Sequence, residues 1–194
     1  MTRPLADRPE EWPVVESRDI HRGQWVVALR SDRIHHPDQP DGETFERIIL
    51  EHPGAVVVLA IDEQDRAVCL SQYRHAAARR FIELPAGVID TDEDPLEVGR
   101  RELREEAGLE ADDWTHLLSA YSSPGYSGEL IHYYLARGLH EVDRDFQPHH
   151  EEADMDLFRV PFTELLDAVL AGDVRDAPVA LAVLAARVRR LAPE

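Results

Sequence analysis

The chain has 194 residues, enough for one substantial hydrophobic core with a small accessory lobe but not for two full domains. Its 43% hydrophobic and 31% charged residues suit a globular protein, and a formal charge of −18 excludes sequence-independent nucleic-acid binding, whose affinity comes from clustered cations on phosphate. Every basic side chain is arginine, which removes Schiff-base and P-loop lysines, and the absence of asparagine removes N-glycosylation.

Taken in chain order, the opening MTRPLADRPEEW lacks the apolar run of a signal peptide, and no stretch approaches the roughly 18 apolar residues of a membrane span. A cytoplasmic location with no membrane partner is therefore expected. Up to His52 the runs WPVVESRDI, QWVVALRSDRI and TFERIILEH read as strands between Gly, Pro and Asp, giving a small N-terminal β lobe over residues 1–53. From 54 to 194 a second domain is expected. GAVVVLAID and RAVCLSQYR read as strands around the turn DEQD, with Cys69 a buried structural thiol that has no disulfide partner. FIELPAG reads as a short strand entering a loop. Asp94, Pro95 and Glu97 then form a helix-start signature, and Gly108 a stop. WTHLLSAYSS and LIHYYLARGL read as strands around PGYSG, MDLFRV as another, and PFTELLDAVLAG and APVALAVLAARVRRL as two closing helices.

The segment GVIDTDEDPLEVGRRELREEAGL, from Gly87 to Leu109, carries the chemistry. On a helix Glu102, Glu105 and Glu106 stand at i, i+3 and i+4, so three carboxylates project from one face. Without spacing considered, the cluster reads as a solvated charged face. Like charges so close repel, and the arrangement makes physical sense when hard cations sit among them; Mg²⁺ or Mn²⁺ suits carboxylate oxygens together with substrate phosphates. Such cations also resolve how an acidic protein acts on an anionic substrate. Arg101 is placed to orient a glutamate by a bidentate pair, and the LPAG turn allows a backbone carbonyl such as that of Ala86 to reach a metal.

The spacing resembles the Nudix box, with Gly87, Glu93, Arg101, Glu102, Leu103, Glu105, Glu106, Gly108 and Leu109 at every specified position. The resemblance implies an α/β fold with a mixed β-sheet in an α/β/α sandwich, and hydrolysis of a nucleoside diphosphate joined to another group. It makes Glu102 and Glu106 metal ligands, Glu105 a ligand or an aid to water activation, and Arg101 and Glu93 orienting groups. It further implies two or three ions per site.

Three features resemble the ADP-ribose pyrophosphatase subfamily. Pro124, in SSPGYSGE, lies fifteen residues beyond Leu109 and matches that subfamily's marker proline, against an unrelated turn proline. HHEEADMDLF matches its mobile loop, which supplies a catalytic glutamate and metal ligand; position assigns this role to Glu151, with Glu152 next. His149 and His150 read as loop surface. The N-terminal lobe followed by GAVVVLAI and SQYRHAAARRFIELPAG resembles the same enzymes, in which N-terminal strands exchange across a homodimer and help bind the adenine and terminal ribose. On that basis Arg47 and Arg74 reach phosphate or ribose, or else form ordinary surface ion pairs, and Glu129 holds a ribose hydroxyl or a metal-bound water. The expected reaction converts ADP-ribose to AMP and ribose 5-phosphate. Alternative substrates are a nucleotide sugar, NADH or a dinucleoside polyphosphate, and the alternative class is an ADP-ribose sensor, against which every box acid is present. A serine hydrolase is excluded because GYSG around Ser127 is not G-x-S-x-G.

Overall fold

The computed structural model describes residues 5–23, 27–89, 93–143 and 154–193. The chain divides into two compact units, residues 1–52 with 123–128, and residues 53–122 with 129–194.

The first unit is a three-stranded antiparallel sheet in the order β1 (Val14–Arg22), β2 (Ala28–His35), β3 (Thr44–Glu51). Asp32, at 3% exposure, accepts from Ser17 at 2.6 Å and pairs with Arg30, which also bonds Glu51; these bonds offset the cost of burying a carboxylate. The turn PGYSG joins this unit rather than serving only as a hairpin loop: Leu50 donates to the Tyr126 carbonyl at 2.8 Å, and Gly128 donates to the Leu50 carbonyl.

In the second unit the chain runs β4 (Ala55–Ala60), β5 (Arg66–Arg74), a 3-10 turn (His75–Ala77), β6 (Arg79–Glu83), β7 (Ala86–Val88), α1 (Pro95–Ala107), β8 (Leu109–Tyr121), β9 (Leu130–Glu141), β10 (Asp156–Pro161), α2 (Phe162–Ala171) and α3 (Ala177–Val188). The order β7-β4-β9-β8 makes a mixed sheet, with β4 parallel to β9 and the other pairs antiparallel. A second, antiparallel sheet is ordered β10-β5-β6.

The sandwich follows from β4, which is apolar at every position because both of its faces are covered. Val56, Val58 and Ala60 pack with Val98, Leu103 and Ala107 of α1. Val57, Leu59 and then Ile61 pack instead with Phe162 and Leu165 of α2 and Val179 and Val183 of α3. Each such aliphatic side chain contributes about 1.5–3 kcal/mol by leaving water. Cys69 lies in the second cluster, fully buried, and burial pushes its thiol up to about 12, so it is chemically quiet.

Two boundaries differ from the sequence reading. FIELPAG contains two strands, since β6 pairs with β5 while β7 crosses to β4; Pro85 lies at the switch and its carbonyl accepts from Val58 at 2.8 Å. β8 starts at Leu109, five residues before the apolar pattern at Trp114. Its acidic first half reads as loop, yet β9 supplies its ladder, with Glu110 opposite His140, and an edge strand tolerates polar residues.

Candidate active site

Helix α1 starts where the sequence places it: Asp94 accepts from the Leu96 amide at 2.9 Å and Pro95 occupies the first turn. Glu97 turns to Arg100 at 2.9 Å instead of reaching back to the cap. Gly108 ends the helix at φ 65°, a left-handed conformation that glycine adopts without a Cβ penalty, and its N–H bonds the Arg104 and Leu103 carbonyls.

The three glutamates are held by three different devices. Glu102 is buried against β7, where a Cβ on Gly87 would lie 1.9 Å from its Oε1, so only glycine leaves room for this carboxylate. Glu106 accepts from the Ala86 amide at 2.9 Å, which ties α1 to the loop side of β7. Arg101 bonds Glu102 Oε1 at 2.7 Å and Glu105 Oε2 at 3.3 Å, and pairs with Glu93 at 3.5 Å. Burial lowers the Arg101 pKa, but attraction from Glu102, Glu93 and Glu105 outweighs it and holds the guanidinium above its ordinary value. Its charge lets the acids lie close together. A groove of about 880 Å³ between α1 and β8 opens beside Glu93, Arg101 and Glu105.

This donor set fits a hard divalent cation in chemistry, being carboxylate oxygens beside a backbone loop. Among the described residues, however, no three His, Cys, Asp or Glu side chains converge as a closed cage. Arg101 and the Ala86 amide take lone pairs that ligation would use. An open half-set of this kind suits Mg²⁺, which keeps several waters and completes its shell with substrate phosphate.

Arg74 lies at the end of β5 and makes a bidentate pair with Glu83, at 2.7 and 2.9 Å. Those bonds raise its pKa against the effect of burial, with further attraction from Glu106 and Asp176, so Arg74 belongs to the neighbourhood of the box carboxylates. Glu129 follows the PGYSG turn and acts electrostatically on Tyr133, whose hydroxyl burial pushes up to about 12. Arg47 and Pro124 belong to the N-terminal unit, where the Arg47 guanidinium stacks 4.4 Å from the Phe45 ring centre and bonds the Glu46 carbonyl, and Pro124 sits exposed in its turn. Glu151 and Glu152 lie outside the described residues.

Sequence reasoning missed Glu83 and Asp176. Glu83 was legible as a lone charge in the apolar run FIEL, which demands a buried partner. Asp176 precedes Ala177 and Pro178 as an N-cap and accepts from Val179 at 2.9 Å. Burial, with Glu83 nearby, raises its pKa to about 6 against the hydrogen bond from Val179 and the attraction of Arg74, which lower it. The native state therefore binds this proton more tightly than the unfolded chain, so the group's contribution to stability falls as pH rises from about 4 to 6. Asp176→Asn keeps a capping oxygen and removes the charge. Thermal melts are expected to show it more stable than wild type by about 3 kcal/mol at pH 7, with the advantage gone near pH 4. Equal stability at both pH values would contradict this account.

A glycine-bounded loop and helix presenting three glutamates and an arginine, on an α/β/α sandwich, define a class of metal-assisted hydrolase. The family model of the NUDIX domain matches residues 51–181, and the chain belongs to the Nudix family. It is 39% identical over 176 residues to an ADP-ribose pyrophosphatase of Mycobacterium tuberculosis, covering 90% of this chain and 83% of that one. A methanol dehydrogenase activator of Bacillus methanolicus is 34% identical, over 89% of this chain and 91% of its own. An ADP-ribose pyrophosphatase of Bacillus subtilis is 33% identical, over 74% and 77%. Among solved structures, a crystal structure of an ADP compounds hydrolase superposes with a TM-score of 0.75 at 19% identity, covering 95% of this chain and 96% of that one, which shows the shared fold.

Proposed function

We propose that the protein hydrolyses the pyrophosphate of ADP-ribose to AMP and ribose 5-phosphate, using Mg²⁺ or Mn²⁺, two or three ions per site. The carboxylate set of α1 carries the hydrolytic half of this reading, and the 39% identical relative supports the substrate. Glu102, Glu105 and Glu106 hold the ions, joined by the Ala86 carbonyl and Glu151. When bound, the cations supply Lewis-acid charge that offsets the negative charge developing on the pyrophosphate oxygens. Arg101 keeps Glu102 and Glu105 in place, the Ala86 amide keeps Glu106, and Glu93 steadies Arg101. Glu105 or the loop glutamate Glu151 takes the proton of the attacking water. Arg47, Arg74, Pro124 and Glu129 are the proposed substrate contacts, with Arg74 preoriented by Glu83.

The same reading makes the protein a cytoplasmic homodimer assembled through its N-terminal unit. Strand β1 is exposed along its whole length, with Val14, Val15 and Ile20 among the exposed apolar residues, which supports assembly there. No helix among the described residues is long and apolar enough to cross a membrane.

Metal dependence gives the direct test of the chemistry. Turnover of ADP-ribose is expected to vanish in excess chelator and to return when Mg²⁺ or Mn²⁺ is restored. Undiminished turnover in chelator would leave the carboxylate set without its proposed task.

A further inference from the structure

The hairpin of β5 and β6 concentrates positive charge in a protein of formal charge −18: residues 66–82 hold four arginines and one histidine, and not one acidic residue. Its register is regular, pairing Arg74 with Arg79, Gln72 with Phe81 and Leu70 with Glu83. Side chains opposite each other share a face, and so do residues two apart along a strand. Arg74, Arg79 and Glu83 therefore project from the same face as Val68, which packs with Val98 and Leu103 of α1. Cys69 and Ile82 point the other way, into the cluster of α2 and α3. The hairpin thus turns its arginine face to the helix that carries the box glutamates.

Of the two arginines on this rung, one is already committed. Arg74 donates through Nε and Nη2 to the buried Glu83, at 2.9 and 2.7 Å, and feels the charge of Glu106. Arg80, on the opposite face, pairs with Asp154. Arg79 is exposed, and among the described residues no carboxylate pairs with it. Like charges directly opposite each other repel, and Glu83 relieves that repulsion only from the side of Arg74. An anion between the two guanidinia relieves it for both. Reach is not limiting: Arg74 leaves the backbone at the same rung, and its guanidinium arrives at Glu83, three residues before Ala86.

We propose that Arg79 is a further substrate-binding residue, an oxyanion contact that works beside Arg74 on the diphosphate of the bound nucleotide. The inference rests on reading the box as a diphosphate-hydrolysing site and adds to it a residue outside the box. Cations on the box glutamates offset part of the diphosphate charge, and a guanidinium meets the remaining oxygens with a planar fork of N–H donors. Such a contact to charge already present in the substrate is as good in the ground state as in the transition state. It therefore lowers KM and leaves kcat nearly unchanged. A local basic arm also lets a strongly acidic protein draw in an anionic substrate, because the field that matters is the one at the site.

The test is steady-state kinetics of the whole chain in saturating Mg²⁺, on whichever of ADP-ribose, UDP-glucose and NADH the wild type cleaves best. Arg79→Ala is expected to raise KM about tenfold with kcat within about twofold, and Arg79→Glu to raise KM further. Arg79→Lys should recover part of the loss, since a point charge replaces the fork. The side chain is exposed, so melting temperatures should match the wild type, and the KM difference should shrink as salt rises. A KM for Arg79→Ala within about twofold of wild type, or a loss confined to kcat, would overturn the contact. A tenfold rise in KM with UDP-glucose or NADH as the preferred substrate would uphold it and overturn the ADP-ribose reading instead.

Discussion

Glu106→Gln is expected to lower kcat by about 10²-fold or more, roughly 3 kcal/mol of transition-state stabilisation, in a protein that remains folded. The glutamate accepts from the Ala86 amide at 2.9 Å, and a glutamine carbonyl oxygen accepts the same bond, so α1 and β7 stay joined. What disappears is one negative charge from a face that also carries Glu102 and Glu105. Without divalent metal, thermal stability should stay level or rise, because a repelling charge has gone and Arg101 still serves the other two acids. A kinetic loss accompanied by unfolding would refute this assignment, since the defect would then be structural.

Gly87→Ala is expected to damage the site through space alone, lowering kcat/KM by about 10²-fold. The added methyl would meet Glu102 at 1.9 Å from Oε1 and 2.1 Å from Cδ, so the carboxylate must leave its place beside β7. Gly87 lies in strand β7 outside the left-handed region, so the backbone tolerates alanine and the clash falls on Glu102. Overpacking of this kind costs about 1–3 kcal/mol of stability, and divalent-metal affinity should fall with activity. Circular dichroism melts and metal titration of the same preparation separate the two effects. Wild-type turnover in this variant would mean that the position of Glu102 does not matter.

Much of this fold was legible because local rules and burial agreed. The uniformly apolar GAVVVLAI became a strand covered on both faces, and Asp94, Pro95 and Gly108 delimited α1 as their capping chemistry requires. What escaped were features set by distant partners. The switch at Pro85 between two sheets depends on which strand pairs with Ala86–Val88, and the acidic start of β8 depends on a ladder that only β9 supplies. PGYSG read as a connection between two strands, yet its backbone bonds Leu50, some seventy residues earlier in the chain. In the site, helical spacing gathered Glu102, Glu105 and Glu106, whereas the seat for Glu102 at Gly87 and the pairing of Arg74 with Glu83 come from tertiary packing.

Several nucleoside diphosphate derivatives share the pyrophosphate on which the box carboxylates would act. An enzyme separates substrates that share one pyrophosphate only through contacts to the parts that differ. The decisive measurement is kcat/KM for ADP-ribose beside GDP-mannose, UDP-glucose, NADH and a dinucleoside polyphosphate under one metal condition, with products identified by mass. AMP and ribose 5-phosphate are expected from ADP-ribose at the highest kcat/KM of the panel. A competitor cleaved about tenfold more efficiently than ADP-ribose, a difference of about 1.4 kcal/mol at the transition state, would contradict it.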